Sequence, residues 1–293
     1  MKKLLVLLCA VLMALSLTAC GGSSDDTAED TVDHSTIVWA IANDQDTLDP
    51  QNNVSNAVVL PQIYSTLVFV NADNELVCDL CSEMPTVDET ETVWTIKLRD
   101  DVDFQKGQHL TSADVKATFD RMMNTDDPQR YTAQTNGFLK EVRVIDDYTL
   151  EMETWEPCGA FLSYMSNCSY SIMCKETIDT YGTDDNFGMG VLLDSINGTG
   201  PYSISMWNYQ EEMTFTAFEG YFGGAPKTTT IRMVYTPDQA SRCLALETGE
   251  ADIASGLSPD DDVRILNGEV EGVKLHSAPA MVCTNSSSTV LVS

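Results

Sequence analysis

The chain is short of cations, almost without histidine, and has only one long apolar run. Beyond residues 4–17, no stretch approaches the roughly 20 apolar residues that a membrane-spanning helix needs. Only 16 Lys and Arg stand against 45 Asp and Glu, a formal charge of −29. A surface of that sign repels nucleic-acid phosphates and anionic lipid headgroups, which argues against both as partners. The surplus reads first as a solvated charge coat and second as a preference for cationic ligands. His34, His109 and His276 are scattered, so no paired-His metal motif exists. There is no Gly-rich phosphate loop, and no nucleophile elbow in order with His and Asp. The chain therefore reads as a protein without catalytic residues, cofactor or metal.

Nine cysteines are present, and Cys9 and Cys20 belong to the export segment described below. The remaining Cys78, Cys81, Cys158, Cys168, Cys174, Cys243 and Cys283 are odd in number. Cys78-Asp-Leu-Cys81 has thioredoxin-like or zinc spacing, but no second Cys pair or His pair completes a ligand set. Buried, unpaired thiols are the expectation.

Residues 1–20 have the layout of an export signal: Lys2 and Lys3, an apolar core over 4–17, then Leu17-Thr-Ala-Cys20. Cys20 in that setting resembles a bacterial lipobox, which predicts lipidation of its thiol. An ordinary secretory signal with an incidental cysteine is the alternative. Lipid chains hold a protein at a membrane without a spanning helix. Residues 21–35 carry five acids and almost no bulky apolar groups, so they read as a flexible tether reaching on the order of 20 Å. Loss of Lys2 and Lys3 with the signal takes the basic count from 16 to 14 against 45 acids, a charge of −31.

Residues 37–41 (Ile-Val-Trp-Ala-Ile) read as a strand buried on both faces. Asp46-Thr-Leu-Asp-Pro50 and the polar loop at Gln51, Asn52, Asn53 and Val54 follow, then a helical run through Leu60 and Ile63. Trp94, Ile96 and Leu98 alternate with polar residues as a half-buried strand does. Thr111-Ser-Ala-Asp114 predicts a capping box, with Val115, Phe119, Met122 and Met123 on one helical face as core. Residues 142–154 read as a hairpin turning at Asp146-Asp-Tyr148, with Leu150 and Met152 inward.

The stretch from 197 to 256 organises the rest. It opens with Asn197-Gly-Thr-Gly-Pro-Tyr202. The strands over 213–218 and 231–235 alternate with period two around the Gly/Pro loop at 218–226. Thr236 is the expected helix cap, Pro237 the first helical residue and Gly249 the left-handed stop. Ala240, Cys243, Leu244 and Glu247 share a face on which three of the four positions are apolar. Leu246-Glu-Thr-Gly-Glu-Ala-Asp-Ile253 then leads into a further strand. This is a strand–strand–helix–strand block of an α/β domain.

These pieces together resemble the peptide/nickel-type extracellular solute-binding proteins (bacterial family 5) of ABC importers. The resemblance rests on Gly198-Thr-Gly-Pro-Tyr202, Gly220-Tyr-Phe-Gly-Gly-Ala-Pro226 and 246–253, in family order, with 46–50 and 104–121 in support. Lys106 stands where the family usually has Asp or Asn before the glycine.

The resemblance implies a periplasmic-binding-protein-like clamshell of the class II type with an additional domain. Residues 36–64 and 174–283 would form lobe I, 65–173 the additional domain and 284–293 an irregular tail. The 258 residues from 36 onward are enough to bury two cores. The second lobe is expected to be missing from this chain. By matching position, Asn52, Asn53 and Val54, with Asn167, Ser169 and Tyr170, would touch ligand; an ordinary polar loop is the alternative for the first set. The implied role is a lipid-anchored solute receptor, exported to the outer face of the cytoplasmic membrane, that passes solute to ABC permease subunits. Peptide is the leading solute, with nickel chelates, haem and sugars open. A lipid-anchored sensor or inactive fragment that has lost transport is the alternative. Past 253, a helix over 259–266 and a strand over 273–276 are expected.

Overall fold

A computed structural model describes residues 35–53, 58–276 and 289–292. Cys20, Val54, Cys283 and all but the last residue of the acidic tether lie outside the described residues.

A seven-stranded mixed sheet carries one half of the structure. Its strands are β1 (Thr36–Ile41), β8 (Tyr202–Asn208), β9 (Glu212–Ala217), β10 (Thr230–Tyr235), β11 (Ile253–Ser255), β12 (Val273–His276) and β13 (Thr289–Val292). They run in the order β12-β13-β11-β1-β10-β9-β8. β1 lies parallel to both β10 and β11, with Trp39 opposite Met233 on one side and Ile253 on the other. The continuously apolar 37–41 run follows from that central position, because alternate residues enter two cores. Trp39 and Ile41 join Leu60, Ile63, Met213, Phe215 and Met233, while Val38 and Ala40 join Cys243, Leu246, Ala254 and Ile265. The first core is closed by the short helix α1 (Leu60–Ile63).

The second core contains two predicted helices, and one of them is framed differently from expectation. Helix α6 (Gln239–Thr248) is capped by Asp238, whose carboxylate accepts from Ser241 N–H at 2.8 Å, rather than by Thr236. Pro237 therefore precedes the cap, and its carbonyl accepts from Arg242 at 2.9 Å. Arg242, Cys243 and Leu246 are the buried face, whereas Leu244 is 57% exposed. Period counting placed Leu244 inward, but the sheet selects the face one position round. Gly249 does end the helix, at φ +73°. Helix α7 (Pro259–Leu266) and β12 stand where the sequence puts them. The tail does not: 289–292 form β13, hydrogen-bonded between β11 and β12.

The remaining elements surround a separate core. A four-stranded antiparallel sheet runs β4 (Thr86–Val87), β5 (Val93–Lys97), β7 (Thr149–Thr154), β6 (Leu139–Asp146), beside a ribbon of β2 (Val68–Val70) and β3 (Leu76–Cys78). Helices α2 (Ser112–Met123), α3 (Thr132–Phe138), α4 (Phe161–Met165) and α5 (Lys175–Tyr181) complete it. Val115, Phe119 and Met122 are fully buried against Ile96, Leu150 and Met152, so the methionine is core. The capping box forms as predicted, with Thr111 N–H donating to Asp114 at 2.9 Å. The other Asp114 oxygen accepts from Lys175 N–H at 2.8 Å, so one carboxylate caps α2 and α5 together.

The two halves meet beside the glycines of the 197–202 motif, which themselves pack on α1 inside the seven-stranded half. A Cβ on Gly198 would lie 2.0 Å from the Ile63 carbonyl oxygen, and one on Gly200 2.6 Å from the Ile63 carbonyl carbon. Only glycine permits this approach. Across it, the Gln105 side-chain amide lies within 3.1 Å of the carbonyls of Ile63, Gly200 and Tyr202. Gln105 N–H donates to Gly198 at 2.9 Å, and Lys106 Nζ donates to the Asp194 carbonyl at 2.7 Å. The substituted Lys106 thus keeps a cross-link between the halves.

Candidate functional site

In an open α/β sheet, ligands gather beyond the carboxyl ends of parallel strands. Here those ends belong to β1, β10 and β11. The loops after β10 and β11 are drawn together by Arg242, which is 2% exposed. Its guanidinium donates to the carbonyls of Thr236 at 2.6 Å, Pro237 at 2.9 Å and Gly256 at 2.5 Å. Among the described residues no carboxylate forms an ion pair with it, and burial holds its pKa below the ordinary arginine value.

The loop after β1 is a dense polar network. Asp49 is 1% exposed and receives both terminal nitrogens of Arg121, at 2.9 and 3.2 Å. Arg121 also donates to Gln51 at 2.7 Å and sits 4.6 Å from the centre of the Phe187 ring. Gln51 in turn donates to the Thr118 carbonyl of α2 at 2.7 Å. An ion pair so well surrounded by donors fixes the loop against α2. Tyr64 lies fully buried nearby, and among the described residues its hydroxyl has no hydrogen-bond partner. Burial raises its pKa, the Asp49 charge adds to the rise, and Arg121 opposes it.

Asn52 and Asn53 are built into this network. Asn52 Nδ2 donates to Asp49 at 3.0 Å and to Gln129 at 2.6 Å, and its Oδ1 accepts from Arg130 N–H at 2.9 Å. Asn53 Nδ2 donates to Gln45 at 3.1 Å and to the Thr47 carbonyl. The sequence reading missed Arg121, Gln129 and Arg130, because their relation to residues 49–53 spans some 70 to 80 positions with no local pattern. Arg130 is exposed, and among the described residues its side chain makes no ion pair.

The second predicted set is a short 3₁₀ turn over Cys168–Tyr170. Asn167 caps it by accepting from Ser169 N–H at 2.9 Å. Ser169 is 5% exposed, and Tyr170 is packed inside with Phe119, Phe138 and Tyr164. Burial pushes the Tyr170 phenol up to about 12. Thr118 of α2 is bonded by residues next to each predicted set: its carbonyl accepts from Gln51 at 2.7 Å, and its Oγ1 accepts from Met173 N–H at 2.9 Å.

Six cysteines among the described residues are free, with Cys81, Cys174 and Cys243 buried. Burial raises the pKa of both Cys78 and Cys81, the opposite of what an activated thiol pair needs. Among the described residues no group of three or more His, Cys, Asp or Glu could hold a metal ion, and no helix is long and apolar enough to cross a membrane.

Comparison with known proteins agrees with this architecture. Residues 75–285 match the family described as "Bacterial extracellular solute-binding proteins, family 5 Middle". The chain is 30% identical over 222 residues to the glutathione-binding protein GsiB of Salmonella typhimurium, a match covering 74% of this chain and 41% of that one. It is 26% identical over 251 residues to GsiB of Escherichia coli K12, covering 84% and 46%. The chain thus spans under half the length of these relatives. Among solved structures, NikZ of Campylobacter jejuni in complex with Ni(L-His) superposes with a TM-score of 0.74 at 20% identity, covering 84% of this chain and 48% of that one. DppA of Helicobacter pylori in complex with the peptide STSA does so with a TM-score of 0.72 at 22% identity, covering 83% and 50%. At such identities the likeness is one of fold, that of periplasmic binding proteins. The match over 75–285, on the fold just described, places this chain among the family 5 bacterial extracellular solute-binding proteins.

Proposed function

We propose that this chain forms one side of the solute cleft of an ABC importer's binding component, and that its solute is a peptide. The observation carrying this reading is the network at the carboxyl end of β1. Asp49, Arg121 and Gln51 hold Asn52 and Asn53 in place, and Arg130 follows beside Asn52, its exposed guanidinium 6.0 Å from the Tyr131 ring centre and without an ion pair among the described residues. The floor is thus pre-organised, which lowers the ordering cost of binding. An exposed arginine without an ion pair suits a solute carboxylate, and peptides supply one. Asn167 and Ser169 extend the floor, while Tyr170 supports it from within. Val54 belongs to the same loop by sequence.

In this reading, residues 36–64 and 174–283 act as lobe I and 65–173 as the additional domain. The sharing of one sheet by β1 and β8–β12 supports it, as does the confinement of the four-stranded sheet to 86–154. Cys20 carries the lipid anchor, which places the protein at the outer face of the cytoplasmic membrane, where it delivers solute to permease subunits. No covalent step is involved.

The test is calorimetric titration of the chain from residue 21 with glutathione and with di- to pentapeptides, alongside thermal melts. A ligand at 100 times its Kd raises stability by about 2.7 kcal/mol. Saturable binding that Arg130→Ala weakens at least tenfold supports the proposal. A folded chain that binds none of these ligands overturns it.

A further inference from the structure

A cavity of about 410 Å³ lies on the opposite side of α2 from its buried face, between α2, α5 and Val144 of β6. That volume suits a small ligand. Its floor is apolar, formed by Ala113, Ala117, Val144 and Ile178. Two of its carboxylates are already paired: Lys116 holds Asp120 at 3.0 Å, and Lys175 holds Asp179. Asp127, which lines the same cavity, has no ion pair among the described residues. Close to it, Asn124 lends its side-chain oxygen to Asp126 N–H at 3.0 Å. Of the three lining carboxylates, the one without an ion pair among the described residues thus stands beside an apolar trough, on a chain of net charge −29. The long-range field and the local free carboxylate select the same sign of ligand.

We propose that this groove is a second binding site, for an aliphatic primary amine. The ammonium pairs with Asp127 and the methylene chain lies along Ala117 and Ile178. Arg121 joins the groove to the peptide floor. Arg121 is itself among the lining residues, and its terminal nitrogens hold Asp49 and Gln51.

The experiment is titration of the chain from residue 21 with cadaverine at 150 mM salt, followed by amide chemical shifts. Three single variants are compared: Asp127→Asn removes the anion, Ala117→Phe fills the trough, and Asp260→Asn makes the same charge change on the distant helix α7. The proposal expects saturable shifts centred on α2 and α5, with affinity at least tenfold weaker in Asp127→Asn and Ala117→Phe. It expects Asp260→Asn to bind as the parent does. No saturable shift, or equal weakening by Asp127→Asn and Asp260→Asn, would mean that the amine only screens a polyanion, and would overturn the site. Cadaverine lacks a carboxylate, so failure here leaves the peptide reading standing.

Discussion

Replacing Arg121 by Met removes the charge that balances a carboxylate 1% exposed. Breaking a buried ion pair from one side costs about 3–5 kcal/mol, because the remaining charge stays buried and alone. Asp49 is not left bare: it still accepts from Gln51 N–H at 3.0 Å and Asn52 Nδ2 at 3.0 Å. Those neutral donors bring the expected loss toward the lower end, about 3 kcal/mol. A further fraction comes from the lost contact with Phe187, since cation–π pairs contribute about 0.5–2 kcal/mol. Urea unfolding of the chain from residue 21 at pH 7 measures the loss directly. Removing both charges, in Asp49→Asn with Arg121→Met, leaves no buried ion and should recover about 2 kcal/mol of it. If Arg121→Met lies within about 1 kcal/mol of the parent, or the double variant is no more stable than the single, the network does not hold the loop as described.

Two further expectations follow from the same structure. Gly200→Ala puts a Cβ within 2.8 Å of three backbone atoms of Gln62 and Ile63, which cannot swing aside as a side chain would. It should cost about 2 kcal/mol or more, whereas Gly137→Ala, in α3 with nothing within 4 Å, should stabilise by about 0.5–1 kcal/mol. Parallel melts of the two variants decide whether tight approach at the joint is the reason for its glycines. Burial raises the Asp79 carboxyl to about 6, against opposition from the Thr66 N–H bond and Arg99. A raised carboxyl favours the protonated folded state, so stability present below about pH 4 is lost as pH climbs through 6. Asp79→Asn should therefore stabilise at pH 7, by about 1–2 kcal/mol, and match the parent near pH 4. An equal effect of this substitution at both pH values would remove burial of the charge as the cause.

The local devices were legible because each is written within a few residues. The capping box from Thr111 to Asp114, the left-handed stop at Gly249 and the 142–154 hairpin rest on spacing, the strand β1 on its apolar run, and all formed, with Ala40 and Ile41 the buried end of β1. The glycine motif at 198–202 identified the family before its purpose was visible. The purpose is a backbone contact with Ile63, more than 130 positions away. What the sequence left open was which side of an element faces which neighbour. Helical periodicity offered Leu244 as core, but the α6 face is chosen by where β1 and β11 lie, and that choice buried Arg242 instead. The last strand was hidden because 289–292 has no alternation of its own and gains its partners only when β11 and β12 stand ready. The site divides in the same way. The sequence offers the polar loop at 51–54 and the residues Asn167, Ser169 and Tyr170 as candidates. Only the fold supplied Arg121, Gln129 and Arg130, since a buried carboxylate needs a cation in space and nothing in the chain's order says which one will arrive.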